Sequence, residues 1–128
     1  MAKPINILLA EDSLMDAELV LAQLKRAGYE VTCRRVDTEA DFLAELEALP
    51  DIVLSDYSMP QFSGLRAADL ARQSGKDIPF ILISGTVGEE AAVEAMKHGA
   101  SDYLLKDRLA RLGTAVTHAL AESRHAEK

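Results

Sequence analysis

Short apolar runs in this chain are followed closely by groups that can do chemistry. Glu11-Asp12 come after Ile5–Leu9, Ser55-Asp56 after Ile52–Leu54, Ser84 after Phe80–Ile83, and Lys106 after Tyr103–Leu105. If these runs are neighbouring strands, Glu11, Asp12 and Asp56 gather at one edge, where crowded carboxylates repel one another unless a cation neutralises them. Oxygen ligands of that kind suit Mg²⁺ with several retained waters. No His or Cys stands among them, which points away from zinc. Any one of these acids alone would read as a helix cap or a solvated loop side chain. Their joint placement carries the signal.

The segments between the runs have helical period. Leu14, Ala17, Leu21 and Leu24 recur at helical spacing, and Gly28 follows as a stop. Val31–Val36 mixes apolar and cationic residues and reads as a peripheral strand, covered on one side or lying at an edge. Asp37 or Thr38 can cap a second helix through Leu43 and Leu46, and Pro50 breaks the chain before Ile52. Gly64 opens a third helix through Leu65, Ala68 and Leu70. Thr86-Val87-Gly88-Glu89 has capping-box spacing for a fourth, reaching His98 with Gly99 just beyond. Leu109, Leu112, Val116 and Leu120 mark one face of a closing helix. Strands alternating with helices over short linkers imply a parallel sheet covered on both faces, and in such sheets ligands bind beyond the carboxyl ends of the strands.

Composition narrows the function classes. A chain of 128 residues, 48% apolar and 27% charged, has the balance of one folded domain with its own core. No apolar stretch approaches the roughly 20 residues that cross a bilayer, and Glu11 and Asp12 interrupt the first apolar run, so the expectation is a cytoplasmic protein away from membranes. The lone Cys33 excludes an intramolecular disulfide. A net charge of −7 repels phosphate backbones, which argues against direct contact with nucleic acid and toward protein partners.

With these residues in place, the chain closely resembles the receiver domains of two-component response regulators. The resemblance spans residues 1–128 as a single receiver domain with no output domain. It rests on Glu11-Asp12, on Asp56-Tyr57-Ser58-Met59-Pro60 followed by Gly64, on Ser84, and on Tyr103-Leu104-Leu105-Lys106, all in family order. It implies the α/β, flavodoxin-like (βα)5 fold, a five-stranded parallel sheet in order 2-1-3-4-5. It also implies that Asp56 takes a phosphoryl group from a phosphohistidine of a sensor histidine kinase or phosphotransfer protein, and that signalling runs through a downstream protein target. By the same resemblance Asp12 and Asp56 hold Mg²⁺ directly, Glu11 acts through water, and the Ser58 carbonyl is a further ligand. Ser84 and Lys106 contact the phosphoryl oxygens. Tyr103 is either the switch aromatic that follows Ser84 or an ordinary half-buried ring on an edge strand.

Elementary chemistry agrees with those roles. Phosphoryl transfer asks mainly for an in-line nucleophile and neutralised charge on the equatorial oxygens, and a lysine ammonium can follow those oxygens as a mobile point charge. His98 and His118 lack a supporting acid or base pattern and read as surface or capping residues. A pseudo-receiver, the same fold serving as an unphosphorylated binding scaffold, would be expected to have lost an acid or the lysine. A flavodoxin-type carrier would need a phosphate-cradling loop where this chain has two acids. A haloacid-dehalogenase-like phosphatase would need a second acid where Ser58 stands, and a cap for substrate.

The chain departs from the family after Lys106, where Asp107 replaces a proline that usually follows a cis peptide. A cis bond before a non-proline residue costs about 2.5–4 kcal/mol, so Lys106–Asp107 is expected to be trans. Asp107 is then placed to cap the closing helix while Lys106 reaches the Asp56 carboxylate. Gly85 and Gly88 loosen the segment after Ser84.

Overall fold

Buried parallel strands need apolar residues on both faces, and Ile5–Ala10 supplies them: Ile7 and Leu9 join one core, Leu8 and Ala10 the other. The structure, a computed structural model, describes residues 2–85 and 89–126, with side chains to residue 122. The expected capping box at Thr86–Glu89 falls on residues outside that range.

Five strands, β1 (Lys3–Ala10), β2 (Tyr29–Val36), β3 (Ile52–Asp56), β4 (Phe80–Ser84) and β5 (Asp102–Leu105), form one parallel sheet in the order β2-β1-β3-β4-β5. They alternate with α1 (Leu14–Arg26), α2 (Glu39–Leu46), α3 (Gly64–Gln73), α4 (Glu89–Lys97) and α5 (Leu112–Ala126). This is the flavodoxin-like order that the family resemblance implied, and β2 lies at an edge as its mixed composition indicated. The pleat divides the core. Ile7, Leu9, Leu54, Ile81, Ile83 and Leu104 pack with Val20 and Leu24 of α1 and Leu112 and Val116 of α5. Leu8, Val53 and Leu82 pack with Phe42 and Leu46 of α2, Ala67 of α3 and Ala95 of α4.

Hydroxyl side chains cap the helices. Ser13, Thr38 and Ser63 accept from the amides of Asp16, Asp41 and Arg66, which settles the second cap on Thr38 rather than Asp37. Gly28 and Gly99 follow α1 and α4 at φ +95°, a backbone that other residues rarely adopt.

One expectation fails at the last element. The chain leaves β5 directly into a 3-10 turn, Lys106–Arg111, so Asp107 lies inside the turn, exposed, and does not cap α5. The cap position of the turn falls to Leu105, which offers no side-chain acceptor, and no extended backbone remains at Asp107 for an N-cap to use. The Lys106–Asp107 peptide is trans, as are all described peptide bonds.

Candidate functional site

The parallel register delivers the chemical groups to one edge of the sheet. Ala10 pairs with Ser55, Asp56 with Ile83, and Ser84 with Leu105, so Glu11, Asp12, Asp56, Ser84 and Lys106 all fall at carboxyl strand ends. β3 lies between β1 and β4, which sets Asp56 in the middle of the group. Asp56 is 6% exposed and Glu11 2% exposed, whereas Asp12 faces solvent.

Lys106 connects these groups. Its Nζ lies 3.4 Å from Asp56 Oδ1, 3.2 Å from Glu11 Oε1 and 2.6 Å from Asp16 Oδ2. It therefore reaches Asp56, as expected. Glu11 is held from several sides: its Oε2 accepts the Ser13 amide at 3.2 Å, its carbonyl accepts Arg35 Nη1 at 2.9 Å, and its own amide donates to the Val36 carbonyl at 2.9 Å.

The partners Glu11 and Lys106 both titrate upward. Burial is the largest influence on Glu11, and with the Asp56 charge it outweighs the Ser13 amide and Lys106, lifting the carboxyl from 4.5 to about 7. Burial works against the Lys106 ammonium too. Its bonds to Asp16 and Glu11 and the Asp56 charge prevail and hold it above its ordinary 10.5.

Ligand oxygens of Glu11, Asp12 and Asp56 lie within 4.8 Å of one another. An all-carboxylate donor set with one member open to water fits Mg²⁺, which keeps part of its hydration shell. Lys106 also lies among these acids, so the group already holds one cationic partner against three carboxylates. Ser58 is exposed on the loop two residues past Asp56, and Ser84 is buried at the end of β4. Tyr103 is half-buried on the edge strand β5, its ring edge-on to Tyr57 with centroids 6.3 Å apart and planes at 84°.

Asp16 and Arg35 were missed in the sequence. Ser13-x-x-Asp16 is a capping-box pattern, which explains an acid at Asp16 without any wider role. Arg35 is one of two adjacent arginines on an edge strand and reads as solvated. His98 also differs from its sequence reading, because its Nδ1 lies 2.6 Å from Asp69 Oδ1 and its Nε2 3.6 Å from Glu94 Oε2. An acid partner does exist, brought from α3 by the fold, and the histidine ties α3 to the end of α4. His118 is exposed on α5.

The family model described as response regulator receiver domain matches residues 7–117. Luminescence regulatory protein LuxO of Vibrio campbellii is 30% identical over 117 residues, 90% of this chain and 25% of LuxO. Virulence transcriptional regulatory protein PhoP of Salmonella typhimurium is 30% identical over 101 residues, 79% of this chain and 45% of PhoP. The chain thus spans between a quarter and a half of these relatives. Among solved structures, a LuxR-family two-component response regulator from Aurantimonas is similar at a TM-score of 0.81 and 27% identity, covering 94% of this chain and 87% of that one. A response regulator receiver domain protein from Clostridium thermocellum, at 24% identity and a TM-score of 0.80 over 95% and 98% of the two chains, supports the fold.

Proposed function

The chain belongs to the response regulator receiver domain family, and from that premise we propose that it accepts a phosphoryl group on Asp56 from a phosphohistidine of a sensor kinase or phosphotransfer protein. The observation that carries the reading is the Lys106 ammonium 3.4 Å from Asp56 Oδ1, beside a carboxylate group fit for Mg²⁺.

In the proposed step an Asp56 carboxylate oxygen bonds to phosphorus as the phosphorus–nitrogen bond of the donor breaks. The imidazole leaves with the bonding pair and takes a proton from solvent, and Asp56 becomes an acyl phosphate. Lys106 neutralises charge on the equatorial oxygens, and the Ser84 hydroxyl donates to one of them. Asp12 and Asp56, with Glu11 through water and the Ser58 carbonyl, are the residues to hold Mg²⁺, which when bound supplies further charge neutralisation. Tyr103, on the strand beside Ser84, is proposed to couple that hydroxyl to the β5 surface. The product is a signalling state of the protein rather than a released molecule, and its reader is a protein partner.

Acetyl phosphate with Mg²⁺, followed by intact mass, tests the reading. One phosphoryl group should add to the wild type and none to Asp56→Asn. Labelling of the Asn variant would remove Asp56 as acceptor, and repeated turnover without a labelled species would turn the reading toward an aspartyl phosphatase.

A further inference from the structure

Lys106 begins a turn that does little to fix it. Leu105 at the cap position makes no side-chain bond, and Arg108 two residues on departs from helical backbone at φ −130°, ψ 43°. A lysine side chain left to itself samples many rotamers. Something outside the turn must hold the ammonium where the acceptor can use it.

Asp16 is the shortest of its contacts, at 2.6 Å against 3.2 Å for Glu11 and 3.4 Å for Asp56. The local bonding of α1 shows that this carboxylate has been released from its ordinary task. In a complete capping box, Ser13 Oγ accepts the Asp16 amide and the Asp16 carboxylate accepts the Ser13 amide in return. Here the first bond is present at 3.2 Å, but the Ser13 amide donates to Glu11 Oε2 instead, also at 3.2 Å. The Asp16 side chain turns from its own helix end to Lys106. Among the described residues it is the lysine partner that lies outside the Glu11, Asp12 and Asp56 group.

We infer that Asp16 is a positioning residue for phosphoryl transfer: anchored in the first turn of α1, it fixes the Lys106 ammonium so that a further N–H is aimed at Asp56 and the incoming phosphoryl oxygens. The ammonium has three donors, of which one is bonded to Asp16 at 2.6 Å, with Glu11 and Asp56 as ion-pair neighbours at 3.2 Å and 3.4 Å. Asp16 and Glu11 restrain two of them, and the loosest, toward Asp56, is the one that transfers to a phosphoryl oxygen when Asp56 becomes an acyl phosphate. The inference rests on the phosphoacceptor reading and adds to it a residue that never touches the reacting atoms.

The experiment is a concentration series of acetyl phosphate with Mg²⁺, in which the acetate oxygen–phosphorus bond breaks as the Asp56 bond forms. Asp16→Asn should lower the maximal rate roughly tenfold, the scale seen when a group that orients a site residue is lost. Half-saturation should change little, and Asp16→Glu should recover part of the rate. In a Lys106→Ala background, Asp16→Asn should make no further difference, because its action passes through the lysine. A wild-type or faster maximal rate in Asp16→Asn overturns the inference, since removing a negative charge near an anionic donor would by itself speed the reaction. An equal loss in the Lys106→Ala background also overturns it. If the wild type takes no phosphoryl group, the phosphoacceptor reading itself has failed; if it does and Asp16→Asn matches it, only the role of Asp16 has.

Discussion

Gly64 lies against the backbone of Asp56 with no room for a side chain: a Cβ there would overlap the Asp56 carbonyl oxygen and the Leu82 side chain, and the Gly64 amide donates to the Tyr57 carbonyl at 2.9 Å. The start of α3 is thereby locked against the end of β3, where Asp56 stands. Gly64→Ala should destabilise the protein by about 1–3 kcal/mol through overpacking, which outweighs the gain of up to about 1 kcal/mol in helix propensity. Urea denaturation measures the balance. A variant as stable as the wild type would mean that the two backbones can separate freely.

Asp12 is the exposed member of the carboxylate group. Asp12→Ala should weaken Mg²⁺ binding by calorimetry on the order of tenfold or more, while stability without metal holds or rises because a repelling charge is gone. Unchanged affinity would take Asp12 out of the metal site.

Glu11 gives the metal-free protein a pH signature. Its carboxyl binds a proton more tightly folded than unfolded, being lifted from 4.5 to about 7, chiefly by burial. The stabilisation from that proton is complete below pH 4.5 and is lost as pH rises through about 7. In the presence of a chelator the melting temperature should therefore fall across this window, and Glu11→Gln should lack that component of the slope. A wild-type melting temperature that climbs as steeply as the variant's would show that Glu11 ionises normally.

Beside the site, α1 leaves Leu14, Met15 and Leu19 exposed at 64%, 76% and 56%. Apolar side chains of this size at the rim of the carboxylate group suit contact with a protein partner, which under the proposed function is the phosphodonor. Met15→Ser should slow transfer from a phosphorylated protein donor by the equivalent of about 1–2 kcal/mol, yet leave transfer from acetyl phosphate unchanged. Equal slowing with both donors would place Met15 in the chemistry instead.

The architecture was legible because parallel strands buried on both faces leave continuous apolar runs, as Ile52–Leu54 and Phe80–Ile83 do. The strand-end residues followed once those runs were aligned. Contacts between distant segments were not legible. Asp16 already had a sufficient local explanation as the acid of a capping box, and only the fold shows its side chain on Lys106, 90 residues away. His98 finds Asp69 in the same manner, across 29 residues. Asp107 failed for the opposite reason: a residue well suited to cap a helix was credited with one, but the turn had already begun at Lys106.

The span from Asp16 to Lys106 also bears on how the protein is made. Synthesis proceeds from the amino terminus, so Glu11, Asp16 and Asp56 leave the ribosome well before the lysine that faces them. Until β5 has docked beside β4, Asp56 lacks the ammonium, and a half-made chain holds only a group of mutually repelling carboxylates. The charge balance of the strand-end group thus arrives with the last strand, and a chain cut short of Lys106 carries the acids without the ammonium that faces them.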